Sequence, residues 1–405
     1  MTPEGSRMDA STLQAALLKQ PRHALFPSAD QYSPGLGEAG WRAAVRAGNE
    51  QLIPRALTLG FQVGAQRLQS RDGNGNYLSM LLSALRLQAA QLAEDREVVA
   101  MVLQLGLAEV LPLQQIGHLL DAVPQHLRTA ARPQIEVRLD AGSGVAPERL
   151  RDVGCTRFTL MDRAGEPGPA RLADALRVGF TACCYQLSVP AADDADFLRR
   201  LQAVLTLRPE RIALPAPETC PSRPCTASWL QAWTAVRHAG YVAIGADHYQ
   251  RGDIAVTAGR GGDQRHCDLS GVPRRDRSDF IGIGLGACSQ LGDVFLRLEN
   301  DLPRWQERLR AGQIGVVAGL ILSEQERLAD EAAQSIACDH ALDADAFHWR
   351  NGREVSECFE DVMPAIDLLV SAGVAWQDRR VLRLTEAGRL VWRTVAGCFR
   401  LPLLH

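Results

Sequence analysis

Residues 56–107 read ALTLGFQVGAQRLQSRDGNGNYLSMLLSALRLQAAQLAEDREVVAMVLQLGL. Two short apolar runs, ALTLGFQV (56–63) and VVAMVLQLGL (98–107), flank LSMLLSALRLQAAQLA (78–93). The outer runs have strand length, whereas the middle one spaces its leucines at the three-to-four interval of a helix. Strand, helix and strand in that order predict one crossover unit of a parallel sheet. The alternation continues with IEVRL (135–139), RFTLM (157–161), TACCYQLSV (181–189) and RIALP (211–215) as strands. LQQIGHLLDAV (113–123), ARLADALRVG (170–179) and ADFLRRLQAVLTLR (195–208) are the helices between them. About six parallel strands fit an α/β fold, either an incomplete (β/α) TIM-like barrel or a doubly wound sheet, and the pattern leaves both open.

The chain changes character toward its end. SEQERLADEAAQSIAC (323–338) opens with Ser323 and has Glu326 three residues on, a capping-box signal for a helix start. CFEDVMPAIDLLVSAGVA (358–375) and WQDRRVLRLTEAGRLVWRTVAGCF (376–399) then read as helix, short strand pair and helix. That order predicts a small winged-helix-like α+β module that packs on the larger domain. DNA binding is not its expected use, since the last helix offers only Arg389, Arg393 and Arg400. The expected organisation is an N-terminal extension over 1–50, a β/α domain over 51–310 and the C-terminal module over 311–405.

Composition narrows the class. The chain has 405 residues, 46% hydrophobic and 22% charged, with a formal net charge of -3. Such a balance supplies no electrostatic footprint for nucleic acid or an anionic membrane. No apolar run reaches the roughly 18 residues of a membrane helix. The first residues, MTPEGSRMDASTLQAALLKQ, lack a basic start followed by an apolar core, so no secretory signal is read. The 10 cysteines are therefore expected as reduced thiols in the cytoplasm.

Several passages carry a family resemblance. GYVAIGADHYQRGDIAVTAG (240–259) is similar to a segment of the form GY-x-x-I-G-M-D-H-F-A followed by D-x-L-A-x-A. HCDLSGVPRRDRSDFIGIGLGACSQLGD (266–293) resembles N-F-Q-G-Y followed by D-L-L-G-x-G-x-S-A-I-S. RVLRLTEAGRLVWRTVAGCF (380–399) resembles I-x-V-T-x-x-G-R-L-L-I-R-N-I-x-M-x-F-D, and PRHALFPSADQY (21–32) more faintly P-R-Y-T-S-Y-P-T. The family is that of the oxygen-independent coproporphyrinogen III dehydrogenases (oxidases) of heme biosynthesis, radical S-adenosylmethionine enzymes. The resemblance implies the incomplete barrel, a 4Fe–4S cluster, S-adenosylmethionine and a tetrapyrrole substrate.

The departures fall on that chemistry. The family holds its cluster with C-x-x-x-C-x-x-C after the first strand, leaving one iron open for S-adenosylmethionine. Residues 59–76, LGFQVGAQRLQSRDGNGN, contain no cysteine, and alignment on the first strand places Gln66, Ser70 and Gly73 at the ligand positions. None of these supplies a soft thiolate. The family's GGGTP loop falls on Gln104, Leu105, Gly106, Leu107 and Ala108, where Leu105 would crowd a ligand. Its E-V-D-P strand end falls on Val137-Arg138-Leu139-Asp140, without a clear Glu. Replacement ligands are weak: Cys183 and Cys184 are adjacent in a strand and point to opposite faces. Cys220 and Cys225 form one C-x-x-x-x-C pair in a proline-rich loop, which reads as two solvated thiols, a metal pair or a disulfide.

Candidate ligand-binding residues lie downstream. His248 in GADHY stands at a strand end where barrel sites are built, and Asp247 beside it would fix its tautomer or carry no role. The competing reading of His248 is a loop-ordering histidine. His266 and Cys267 are candidate heme ligands in RGGDQRHCD, and Arg265, Arg274 and Arg275 are candidate partners for propionates. The alternative for that segment is a solvated loop. IGIGLGACSQ (281–290) has glycines at alternate positions but no full dinucleotide fingerprint, so it reads as a crowded strand and turn. Three functions follow: a catalytically degenerate family member that binds a porphyrin, heme or a protein partner; an active enzyme converting two propionates to vinyls; or a non-enzymatic interaction protein. The first is expected.

Overall fold

The computed structural model describes residues 25, 27, 31–64, 74–162, 166–188, 195–215, 223–255, 265–267, 269, 271, 273–274 and 277–400. Six strands run in sequence: β1 (Leu57–Gln62), β2 (Val98–Leu103), β3 (Thr129–Asp140), β4 (Arg157–Asp162), β5 (Ala182–Leu187) and β6 (Arg211–Ala213). They are followed by β7 (Tyr241–Gly245), β8 (His248–Arg251), β9 (His266–Cys267), β10 (Pro273–Arg274) and β11 (Asp279–Gly284). Then come β12 (Cys288–Leu291), β13 (Val294–Leu298), β14 (Val316–Ile321), β15 (Ala341–Asp343), β16 (Ala375–Asp378) and β17 (Val381–Leu384).

The main sheet has 12 strands in the order β14-β13-β12-β11-β1-β2-β3-β4-β5-β6-β8-β7. β1 through β6 are mutually parallel, and β11 joins β1 in parallel on the other side. The sheet is thus larger than the expected six strands. Antiparallel strands extend it at both ends, β8 and β7 beyond β6 and β12 to β14 beyond β11. These extensions are joined by short connections, which permit antiparallel pairing without a crossover helix. Consecutive order from β1 to β6 lacks the reversal that defines a doubly wound sheet. Right-handed crossovers in unbroken order place the helices on one face.

Side chains on that covered face are buried. Val137, Leu139, Phe158, Leu160, Tyr185, Leu187 and Ile212 are all 0% exposed. Each fully buried side chain of this kind contributes about 1.5–3 kcal/mol relative to exposure. The residues at alternate positions do not follow: Ala182, Cys184 and Gln186 of β5 are half-buried while Cys183, Tyr185 and Leu187 are buried. Cys183 and Cys184 therefore face opposite sides, as strand geometry requires. Along β3 to β6 one face is a helix-covered core and the other carries polar side chains, whereas β1, β2 and β11 are buried on both faces.

A second unit follows β14. Its first helix, Glu324–Asp339, carries the expected capping box, with Glu326 N 3.3 Å from Ser323 Oγ and Ser323 N 2.7 Å from Glu326 Oε2. Further helices and the antiparallel sheet β15-β17-β16 complete it, ending in the helices Glu386–Leu390 and Trp392–Cys398. Two close approaches lock the molecule. A Cβ on Gly245, at φ 111°, would lie 2.6 Å from Cys338 Cα, so β7 can meet the capped helix only as glycine. The Phe280 ring occupies the space beside Gly60, where a Cβ would sit 2.3 Å from it. The glycines of β11 thus serve close packing. Gly284 lies against the Gln62 carbonyl, and no helix start follows them.

Candidate functional site: the polar face of the sheet

Register brings a set of polar side chains together. Glu136 pairs with Arg157, Arg138 with Thr159, Thr159 with Cys184, Cys184 with Arg211, and Ala213 with His248. Laterally paired residues share a face, so these groups line one surface opposite the helices. Glu136 Oε1 accepts from Arg138 Nε at 2.8 Å and from Thr159 Oγ1 at 2.9 Å. Glu210 accepts from Arg157 Nη2 at 3.2 Å and from Gln250 Nε2 at 3.1 Å, and Arg211 Nε lies 3.3 Å away. Burial, and the neighbouring Arg157, hold the Arg211 guanidinium below its ordinary pKa. Burial also pushes Cys184 up to about 12, so it stands as a thiol rather than a nucleophilic thiolate.

His248 occupies the start of β8 and is 9% exposed. Its Nδ1 lies 2.9 Å from the Ala246 carbonyl, which can only accept. Nδ1 therefore carries the proton, and Nε2 keeps its lone pair. Burial lowers the imidazole to about 4, with Arg211 adding to the effect, so it is neutral near pH 7. Asp247 does not fix this tautomer. Its Oδ1 accepts from Trp392 Nε1 at 2.8 Å, and its Oδ2 lies 2.6 Å from Arg393 Nη2. It ties the β7–β8 turn to the last helix.

The other candidates are dispersed. His266 borders a separate cavity of about 130 Å³ with Arg55, Arg277, Asp279 and Asp330. Cys267 is 0% exposed, hydrogen-bonded to Gln334 and 3.5 Å from Cys338 Sγ, so its thiol is enclosed rather than offered as a heme ligand. Arg265 Nη1 donates to the Ile244 carbonyl at 3.3 Å. Arg274 lies in β10 opposite His266. Arg275, Gln66, Ser70 and Gly73 lie outside the described residues, as do Cys220 and most of residues 21–32. Gln104 caps β2 through its N–H on the Phe61 carbonyl at 2.8 Å. Leu105 is only half-buried in the following turn, so it does not fill the interior, and Gly106 keeps φ 87° with open space at its Cβ position.

Two contributors to this face carry a signal in the sequence beyond the motifs. Glu136-Val137 supplies the first two residues of the E-V-D-P pattern one position earlier than the alignment placed it. Arg211 and Arg138 are charges at alternate positions of otherwise apolar strands, which marks a sheet with one polar face.

The buried imidazoles tie stability to pH. His248 titrates near 4 and His340 near 3 in the fold, against 6.5 ordinarily, both lowered first by burial. Below pH 6.5 the unfolded chain takes up protons that the folded one refuses. Their contribution is complete above pH 6.5 and is lost as pH falls toward 4 and 3. Asp330, raised to about 6 by burial, acts oppositely between pH 6 and its ordinary 3.8. Asp162 and Asp339, also raised by burial, act in the same sense as Asp330, so the imidazole contribution is read as a difference: between pH 6.5 and 4 the urea midpoint of the wild type should fall more, or rise less, than that of His340→Gln. Parallel profiles in the two proteins would show that the His340 imidazole is solvated.

Comparison with known proteins places this geometry. The HemN C-terminal domain matches residues 322–391. The oxygen-independent coproporphyrinogen III oxidase of Pseudomonas aeruginosa is 22% identical, over 97% of this chain and 95% of its own length. That of Salmonella typhimurium is 23% identical, over 96% and 94%. Among solved structures, coproporphyrinogen III oxidase (HemN) from Escherichia coli, described as a radical SAM enzyme, superposes with a TM-score of 0.81 at 20% identity, covering 97% of this chain and 99% of its own. The similarity runs end to end: by C-terminal domain, by sequence and by fold, this chain is similar to the oxygen-independent coproporphyrinogen III oxidases.

Proposed function

We propose that this protein binds a tetrapyrrole, heme or a coproporphyrin, on the polar face of the sheet, and that it does so without radical chemistry. His248 carries the reading. A neutral imidazole whose Nδ1 donates to a backbone carbonyl has the orientation and tautomer of a metal-binding Nε2. Arg211 beside it offers a guanidinium suited to a propionate. The relatives' name, coproporphyrinogen III oxidase, motivates the ligand class. The accompanying architecture is an incomplete barrel curved over the polar face, with residues after Ser323 as a winged-helix-like module used for packing. Eight described cysteines are free thiols, which supports a reducing, cytoplasmic setting.

The cluster of the family does not fit the residues present. In the alignment on the first strand Gln66, Ser70 and Gly73 fall at the family's thiolate positions, and none of the three side chains supplies a thiolate. Bound to three thiolates, such a cluster would supply an electron to S-adenosylmethionine, and no step here is routed through it. End-to-end similarity to oxidases favours one competing reading, an active enzyme that takes two propionates to vinyls.

Anaerobic reconstitution with iron and sulfide, followed by S-adenosylmethionine and coproporphyrinogen III, separates the two. The expected result is no cluster absorbance and no 5′-deoxyadenosine. The triple variant Gln66→Cys, Ser70→Cys and Gly73→Cys should still give no vinyl product, since the 104–108 loop also departs from the family pattern. Cluster formation with cofactor cleavage by the natural sequence would overturn the proposal.

A further inference from the structure

We infer that the cleft between the large sheet and the C-terminal unit binds a small planar carboxylate, an aromatic ring bearing one carboxyl group. The cleft holds about 290 Å³, and its walls include Trp233, Arg237, Tyr249, His340, Glu386 and Arg389. Asp247 and His248 border it, but it opens on the helix-covered side of β8. Tyr249 pairs with Ile212 of the buried face, whereas His248 pairs with Ala213 of the polar face. The two readings meet at His248, but the cation offered to a carboxylate differs: Arg389 here and Arg211 for the tetrapyrrole.

Its charges leave one cation over. Arg237 is committed: it makes a two-pronged ion pair with Glu386, one contact being Nη1 to Oε2 at 3.0 Å, and its guanidinium lies 4.8 Å from the Trp233 ring centre. Asp247 is committed to Trp392 and Arg393. Arg389 is exposed and makes no hydrogen bond or ion pair among the described residues. Desolvation works most against its charge and the neighbouring Arg237 adds to that, with Glu386 opposing them in part. An anion in the cleft would relieve both, and guanidinium pairs with carboxylate through two parallel hydrogen bonds.

His340 is the second observation. It is 8% exposed and makes no side-chain hydrogen bond among the described residues. Held neutral, it brings one N–H donor and one acceptor to the cleft wall. Trp233 and Tyr249 supply flat apolar surface for a ring. The volume stands at the lower end of ligand cavities, about 300 Å³, which suits a single ring rather than a tetrapyrrole. A cleft between units that gathers shifted titratable groups is where ligands are bound.

Saturation-transfer NMR on the full chain, with benzoate and its neutral analogue benzamide, tests this. Benzoate should bind saturably and benzamide should not. Arg389→Gln should weaken benzoate about tenfold or more, the size of one charge-assisted hydrogen bond lost. Arg211→Gln should leave benzoate binding intact, and Arg389→Gln should leave heme affinity intact, so either site can fail alone. No benzoate binding, equal binding of benzamide, or unchanged affinity in Arg389→Gln would each overturn the inference.

Discussion

Replacing Asp247 by Ala is expected to destabilise the protein by about 3–5 kcal/mol, the loss found when one partner of a buried ion pair is removed. Asp247 is 9% exposed and satisfies two groups of the last helix, the Trp392 indole N–H and the Arg393 guanidinium. Truncation strands both. Asp247 also sits at φ 64°, which alanine tolerates poorly and asparagine well. Asp247→Asn keeps an acceptor for Trp392 and the backbone conformation while losing the charge. It should therefore cost less than alanine by the Trp392 hydrogen bond and the backbone strain, while Arg393 is left without its charged partner in both. Urea unfolding of the two variants checks this, and equal, small effects in both would show that the turn is held by other contacts.

Replacing His248 by Ala is expected to weaken heme binding by roughly 100-fold, since changes even in the groups that orient a metal-bound imidazole reach 10–100-fold. Coproporphyrin III has no iron, so its affinity should change little in the same variant and fall instead in Arg211→Gln. His266→Ala should leave both affinities unchanged, because His266 borders a different cavity. This split separates ligation from a general loosening of the fold, which would lower all affinities together. Equal heme affinity in wild type and His248→Ala would remove the imidazole from the site.

The parallel strands were legible because each is a short apolar block between helical repeats: β1, β4 and β5 fall within a residue or two of the expected runs. The antiparallel extensions were not, since β7, β8 and β12 to β14 lie among glycines whose role is close approach rather than periodicity. The site divided in the same way. His248 could be named from its motif, but its proton on Nδ1 depends on a carbonyl two residues earlier, which only the turn geometry provides. The partners of Asp247 are not legible locally, because Trp392 lies 145 residues away in sequence and Arg393 is next to it. His266, Cys267 and Arg265 are neighbours in sequence, but Arg265 donates to the Ile244 carbonyl, Cys267 is bonded to Gln334 of the capped helix and His266 pairs with Arg274 across the β9–β10 hairpin.

The most direct test is an anaerobic absorbance titration of the wild-type protein with heme and with coproporphyrin III. The account predicts a saturable shift of the Soret band at micromolar ligand, with the spectrum of a nitrogen-ligated iron for heme. No saturable shift with either ligand would contradict it.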